Sequence, residues 1–171
     1  MRITTWRPEH AARFTELNLE WLVKYDLLEP ADEVQLADPV THFIVPGGQI
    51  FAAVDATGYV VGVCAVVPHG SAGECEVAKL AVSAEARGQG VARGLVERCL
   101  TWARASGFRR VILVSNHQLA PALALYRSLG FVDAPIPADF SAEYATADVY
   151  MILELAVTAP GSPGDGNHTP G

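Results

Sequence analysis

The passage from residue 82 to residue 91 places the tightest limit on how this chain folds. An apolar run, Ala78-Lys79-Leu80-Ala81-Val82, gives way to a short polar link, Ser83-Ala84-Glu85-Ala86. Arg87-Gly88-Gln89-Gly90 follows, and then a long amphipathic segment, Val91 to Ser106. The order reads as strand, loop and helix, with two glycines at the mouth of the helix. A residue without a Cβ lets the backbone approach a ligand closely, and the first N–H groups of a helix have no intrahelical acceptor. Those donors, together with the positive end of the helix dipole, suit an anion such as phosphate. The expected occupant is a coenzyme that carries a pyrophosphate.

Two other glycine motifs fit less well. A dinucleotide fingerprint through Gly88, Gly90 and Gly94 needs its first glycine directly after a strand that opens a βαβ unit, and an acid about 20 residues later. Here a four-residue link follows Val82, and the next strand ends in Ser115-Asn116 with no acid. A P-loop needs Lys followed by Ser or Thr after the glycines, and that pair is missing. On the glycines alone, an ordinary flexible connection stays open beside the anion site.

Three pieces in register with the loop carry a family resemblance. Arg87-x-x-Gly90-x-Ala92 matches the Gln/Arg-x-x-Gly-x-Gly/Ala signature of the GNAT N-acetyltransferase superfamily. Glu76-Val77-Ala78-Lys79-Leu80-Ala81-Val82 resembles that family's acid-bearing strand before the loop. Ser115-Asn116, followed by Ala124-Leu125-Tyr126-Arg127-Ser128-Leu129-Gly130-Phe131, resembles its second signature. The resemblance covers Phe51 to Leu155 well and the N-terminal third loosely. It implies an α/β fold (α+β in some schemes) of GNAT type. That fold is a mixed, mostly antiparallel central sheet of about six or seven strands, with helices on both faces and a parallel, splayed strand pair at the coenzyme site. It also implies acetyl-CoA as cosubstrate and a primary amine of a small molecule or peptide as acceptor. The oligomeric state stays open, a homodimer being common in the family. A rival reading keeps the fold and the loop but makes the chain a non-catalytic acyl-CoA-binding or sensing module; a nicotinamide-dependent enzyme with a variant glycine loop is the other rival.

The whole chain sets wider bounds. Its 171 residues, half of them apolar and 18% charged, suit one domain over residues 1–157. The Pro/Gly-rich stretch 158–171 cannot build a core and is expected to be disordered. The start, Met1-Arg2-Ile3-Thr4-Thr5-Trp6, lacks the apolar region of a signal peptide. The longest apolar run, Tyr59 to Val67, falls far short of the ~20 residues that span a bilayer. Cys64, Cys75 and Cys99 lack C-x-x-C spacing and sit within apolar patterns, as buried thiols do. A cytoplasmic location without membrane contact is expected. The five histidines are scattered, so no metal site is expected.

A net charge of −7 argues against nucleic acid as a partner. Seven of the twelve basic residues fall between Lys79 and Arg110, against only Glu85 and Glu97, which suggests a local positive field for an anionic coenzyme. A solvated helix face is the plainer reading of Arg98 and Arg104.

Ile3 to Arg7 reads as a strand, and Pro8 opens a helix reaching about Tyr25. A second helix, Pro30 to Ala37, follows. In the family these helices roof the acceptor site, and here they and their flanks carry Glu16, Glu20, Asp26, Glu29, Asp32, Glu33 and Asp38. A negative roof would suit a cationic amine, while exposed acids are also common on helix faces. Ile50–Val54 and Tyr59–Val67 read as a hairpin, followed by the strand ending at Val82. Helix Val91–Ser106, strand Arg109–Val114 and helix Gln118–Leu129, stopped by Gly130, come next. Phe131-Val132, a proline loop and a strand Asp148–Val157 complete the sheet.

Acetyl transfer to an amine needs a held thioester, a neutral amine, donors for the developing oxyanion and a proton for the thiolate. The main-chain amides of Arg87, Gly88, Gln89, Gly90, Val91 and Ala92 are assigned to the pyrophosphate. By resemblance, the backbone of Leu80, Ala81 and Val82 pairs with the pantetheine arm as an added strand, and Asn116 bonds the arm. Asn116 is also a natural N-cap for the helix that follows. An amine of pKa about 10.4 is neutral only about once in 2,500 at pH 7, a handicap of roughly 4.6 kcal/mol. Glu76 is the candidate base, directly or through water, with Glu74 on the same strand face as the alternative. Facing solvent, or pairing with Lys79, is the structural alternative for Glu76. Tyr126 is the candidate acid by resemblance, although helical spacing alone would make it core. His69 and His117 are titratable but are read as solvated loop residues. Similar GNAT sequences carry Tyr-x-Arg-Ala-Asp near the last strand, where this chain has Tyr144-Ala145-Thr146-Ala147-Asp148. Thr146 cannot recognise an anionic acceptor as an arginine would.

Overall fold

The computed structural model describes residues 1–156. The expected tail, 158–171, lies outside the described residues. Among the described residues seven strands form one sheet: β1 (Arg2–Thr5), β2 (Gln49–Val54), β3 (Val60–Pro68), β4 (Glu74–Val82), β5 (Arg110–Ser115), β6 (Val132–Ala134) and β7 (Val149–Glu154). Their order is β1-β2-β3-β4-β5-β7-β6. All neighbours are antiparallel except β4 and β5, which the intervening helix forces to run parallel. This is the mixed, mostly antiparallel architecture expected from the sequence.

Helices α1 (Ala11–Lys24) and α2 (Pro30–Ala37) cover one face, and α3 (Val91–Ala105) and α4 (Ala120–Ser128) cover the other. Strand alternation divides the core accordingly. Phe51, Val66, Val77, Val111 and Met151 meet Leu95, Val96, Cys99 and Leu123 on the α3 side. Ile50, Ala52, Val63 and Ala65 meet Phe14, Leu17 and Leu36 on the α1 side. A third small cluster seats Phe140, from α5 (Ala138–Glu143), on Ile112 and Tyr150. Cys64, Cys75 and Cys99 are all buried free thiols.

The structure corrects several boundaries. Strand β1 ends at Thr5, and Pro8–His10 forms a 3-10 turn before α1. Residues Val40–Ile44 form a π-helical turn with no counterpart in the sequence reading. Helix α5 occupies part of the expected proline loop, with Pro137 at its N-cap and Asp139 in its first turn. Helix α4 begins at Ala120 with Leu119 as N-cap, so Asn116 is not the cap residue.

Two features of the sheet create the cleft. First, β4 and β5 pair only over Glu74–Glu76 and Arg110–Ile112. Beyond that point β5 stays bonded to β7, and β4 carries no strand on its β5 side. Second, Val63 pairs with Ala81 while Ala65 pairs with Ala78, so Lys79 and Leu80 share a single position opposite Cys64. This β-bulge sets Lys79 in the left-handed region (φ +56°). A bulge bends its strand and reverses side-chain parity beyond it. Cys75 and Val77 face α3 before the bulge, whereas Leu80 and Val82 do so after it. Gly62 on the neighbouring strand allows close packing, since a Cβ there would lie 2.9 Å from Val91 and 3.0 Å from Leu95 and would have to displace those side-chain ends. The start of α3 therefore rests directly on β3.

Candidate active site

A cleft of about 660 Å³ opens where β4 leaves β5 and runs to the mouth of α3. Its floor is β4 from Glu76 to Val82, and residues of α1, α4 and the loop 144–147 close it. At the α3 end, Gly88 (φ +75°) and Gly90 (φ +78°) are both left-handed, and Gly90 is the N-cap. Nothing lies within 4 Å of the position a Cβ would take on either residue. Backbone conformation, together with the open space outside the loop, therefore explains both glycines. The first helical bond of α3 is Gly94 N–H to the Gly90 carbonyl, 3.0 Å. Among the described residues the amides of 88–93 have no acceptor, which leaves a row of donors at the positive end of a 15-residue helix.

Of the residues assigned to the coenzyme, Leu80, Ala81, Val82, Arg87, Gly88, Gly90, Val91, Ala92 and Asn116 line the cleft. Gln89 does not; its side chain turns back to the Glu85 carbonyl, 2.9 Å. Asn116 accepts from the Gln118 N–H (2.9 Å) and donates to the Thr146 carbonyl (2.7 Å). It thereby ties the end of β5 to the last loop instead of capping α4. The clustered positive field is also corrected. Only Lys79, Arg87 and Arg93 of the seven cations line the cleft. Arg87 bridges to Glu20 (3.0 Å), Arg93 bonds Ser128 (2.6 Å), and Arg110 sits between Glu154 and Glu74 at the start of β5, where β4 and β5 are still paired.

Glu76 and Tyr126 approach the cleft from opposite faces of the sheet. Glu76 alternates with the core residues Cys75 and Val77 and so points to the α1 side; Tyr126 belongs to the α3 side core. Both line one cleft because the sheet is open between β4 and β5. Burial pushes the Glu76 carboxyl up to about 7, against a smaller opposing pull from Lys79. Burial also raises the Tyr126 phenol well above its usual range, so it stays protonated. The helix end that carries it is closed by main-chain bonds: Phe131 N–H bonds the Tyr126 carbonyl (3.1 Å) and Gly130 N–H bonds that of Arg127 (3.0 Å). With Gly130 at φ +97° this closes α4 as a Schellman motif.

The roof is stitched together by side chains. Lys79 does not pair with Glu76; its ammonium is bonded to Asp32 of α2, the two side chains being 7% and 5% exposed. The Lys79 ammonium also lies 5.8 Å from the centre of the Tyr144 ring. Glu29, the N-cap of α2, accepts from the Ala145 N–H (2.7 Å) and the Thr146 hydroxyl (2.8 Å). Gln35 bonds the Tyr144 hydroxyl, 2.9 Å. Thus Glu20, Glu29 and Asp32, the roof acids that line the cleft, are all engaged in internal contacts. The roof is less negative than the sequence suggested.

Trp21, Tyr25, Lys79, Leu119 and Tyr144 line the cleft but were not singled out from sequence as site residues. Aromatic residues within the first helix and beside the departure at Thr146 were the available signals. His117 is exposed and paired with Asp148, away from the cleft lining. His69 is only 23% exposed and sits 3.7 Å from Glu76, which a solvated loop histidine would not.

Comparison with known proteins identifies the family and the fold. Residues 11–131 match the Acetyltransferase (GNAT) family. A protein named as an uncharacterized N-acetyltransferase of Schizosaccharomyces pombe is 32% identical over 157 residues, 87% of this chain and 91% of that one. The chain spans less than half the length of the rat relatives that it also matches. An acetyltransferase of GNAT family from Staphylococcus aureus Mu50 superposes with a TM-score of 0.80 at 15% identity, covering 91% of this chain and 99% of that one. A GNAT superfamily phosphinothricin acetyltransferase from Sinorhizobium meliloti, solved in complex with AcCoA, superposes with a TM-score of 0.74 at 20% identity, covering 96% and 94%.

Proposed function

Since the chain belongs to the GNAT acetyltransferase family and is an acyltransferase, we propose that it moves the acetyl group of acetyl-CoA to a primary amine of a small molecule or peptide by direct attack on the thioester. One observation carries the reading. The gap between β4 and β5 brings Glu76 from one face of the sheet and Tyr126 from the other into a single cleft that runs to unbonded helix amides.

The residues present suit the coenzyme. The amides of 88–93 and the dipole of α3 receive the pyrophosphate, and Arg87 exchanges Glu20 for it. The free edge of β4 from Leu80 to Val82 accepts the pantetheine arm as a strand would be accepted. Bound there, acetyl-CoA supplies the acetyl group as an activated thioester. Glu76 takes the proton that keeps the amine from attacking; a carboxylate near pH 7 is far better matched to that task than an ordinary one. Unpaired β4 amides are the donors available to the oxygen on which charge develops, a contact typically worth ~3–4 kcal/mol. Tyr126, protonated throughout, donates to the departing sulfur. Its raised pKa makes complete proton transfer to a thiolate uphill, so its main effect is a hydrogen bond that strengthens as charge builds there. Thr146 holds Glu29 at the position where similar sequences have arginine, so an acceptor carboxylate has no guanidinium partner there.

Residues 1–156 fold around one sheet, which supports a single acetyltransferase domain. No helix among the described residues is long and apolar enough to cross a membrane. The test is release of free CoA thiol from acetyl-CoA with polyamines, amino acids, aminoglycosides and peptides as acceptors. Turnover of at least one amine, lost in Glu76→Gln, is expected. Tight acetyl-CoA binding with no turnover across the panel would instead support the non-catalytic acyl-CoA-binding reading.

A further inference from the structure

We propose that His69 is the exit through which each turnover's surplus proton leaves Glu76, by a path separate from the substrate cleft. The inference rests on the reading of Glu76 as the base. A protonated amine must shed two protons to become an amide. One ends on the CoA thiol, so one is left over in every cycle. Glu76 receives it at the floor of the cleft, where coenzyme and acceptor would stand between the carboxyl and bulk water.

The structure provides another way out. His69 follows β3, lies outside the cleft lining, and brings Nδ1 to 3.7 Å from Glu76 Oε2. Its Nε2 lies 3.3 Å from Asp139 Oδ2, on an α5 carboxylate that is 63% exposed. The ring is fixed between them, stacked on Phe140 with centroids 4.5 Å apart and planes 18° apart. Its backbone N–H is also bonded to the Glu74 carbonyl, 3.0 Å. Carboxyl, imidazole and surface carboxylate thus form a chain from the buried base to solvent.

The proton bookkeeping closes. Glu76 carboxylate takes one N–H proton from the acceptor; its O–H then gives that proton to the Nδ1 lone pair of His69, after a side-chain shift or through one water that closes the 3.7 Å between them. The imidazolium that forms is balanced by Asp139 and loses its Nε2 proton to water, and exchange of the remaining ring proton with solvent restores the Nδ1 lone pair for the next cycle. No oxidant or other reactant is needed. An imidazole is the side chain suited to this step, because its two ring nitrogens can take a proton on one side and release one on the other. The other charged or titratable groups facing Glu76 are Lys79 on its own strand, Asp139 and Glu143 of α5, Tyr144 after it and Tyr150 of β7. Lys79 is engaged by Asp32 and Tyr144 by Gln35, and neither tyrosine can accept a proton near neutral pH. His69 is a positioning and relay residue that does not touch the acceptor.

The test compares wild type, His69→Ala, His69→Phe and Glu76→Gln by CoA-thiol release. It uses the panel amine that the wild type turns over fastest, across pH 6 to 9 and with increasing imidazole. Both His69 variants are expected to lose about tenfold in kcat with KM for acetyl-CoA unchanged. Imidazole should restore His69→Ala, which leaves a ring-sized space beside Phe140, but not His69→Phe, which fills it. Unchanged kcat in both variants would overturn the proposal. So would a loss in His69→Ala alone that imidazole does not restore, since Phe keeps the stack and the defect would then be one of packing. Wild-type turnover in Glu76→Gln would remove the base reading itself. An inactive Glu76→Gln beside fully active His69 variants would remove only the exit.

Discussion

At the end of the cleft proposed for the coenzyme the available groups belong to the backbone: amides of residues 88–93, two left-handed glycines and an unpaired strand edge, all within about twenty consecutive residues. At the roof they belong to side chains drawn from segments far apart in sequence. Asp32 holds Lys79, Glu29 holds Ala145 and Thr146, and Gln35 holds Tyr144. The first kind of site tolerates most changes of side chain but not a change of backbone conformation or of charge at the mouth. The second fails when one partner is removed, because the other is left buried and uncompensated. A superfamily that keeps its coenzyme while changing its acceptor would divide its construction in this way.

The largest effect is expected at the backbone end. Gly90→Glu forces a side chain onto a left-handed N-cap and sets a carboxylate against the pyrophosphate, and acetyl-CoA binding should vanish by calorimetry. Gly90→Ala separates the two causes: it carries only the conformational cost, roughly 1 kcal/mol of stability, and should still bind. Retained affinity in Gly90→Glu would mean that the anion site lies elsewhere.

The roof comes next. Asp32→Ala leaves the Lys79 ammonium buried without its partner and should cost about 3–5 kcal/mol in urea unfolding. Replacing both residues with apolar ones should recover most of that loss. A single-variant cost near zero would show that the ion pair is solvated, and would erase the contrast drawn between the two ends.

Tyr126→Phe should leave acetyl-CoA affinity intact and slow turnover about 10²-fold, or about 2.7 kcal/mol. Equal turnover would return Tyr126 to the core residues among which it packs.

The smallest effects concern pH. Burial raises Glu76 to about 7, above the value it takes in the unfolded chain. The folded state therefore binds the extra proton, and Glu76 lowers stability progressively as pH rises from the ordinary carboxyl range through about 7. Glu76→Gln should raise the melting temperature at pH 8 and leave it unchanged near pH 4, where the carboxyl is protonated in both states. In the wild type, kcat/KM should rise with pH through about 7 as the base loses its proton. An acid limb at the ordinary carboxyl value would place Glu76 in water.

The same division explains what could be read from sequence. The strand before Val82, the helix after Gly90 and the loop between them follow from local periodicity and glycine placement, so that end was legible. The C-terminal stop of α4 at Gly130 was legible for the same reason. The bulge was not, because nothing about lysine favours a left-handed backbone at position 79. The Lys79–Asp32 pair joins residues 47 positions apart, and no periodicity signals it. Counting cations between Lys79 and Arg110 overstated the field at the cleft, because α3 carries Arg98 and Arg104 away from it and Arg109 and Arg110 lie at the far end of β5. His69 was read as a solvated turn residue because Phe140, the ring that fixes it, belongs to a six-residue helix hidden in a proline-rich stretch.

The central claim is that main-chain amides at the mouth of α3 hold the coenzyme. Titrating ¹⁵N-labelled protein with acetyl-CoA and following backbone amide shifts tests it most directly. The account predicts the largest downfield proton shifts at Gly88, Gln89, Gly90, Val91 and Ala92, reduced when S-acetylpantetheine, which lacks the pyrophosphate, replaces the coenzyme. Saturable binding that leaves those five amides unmoved would contradict it.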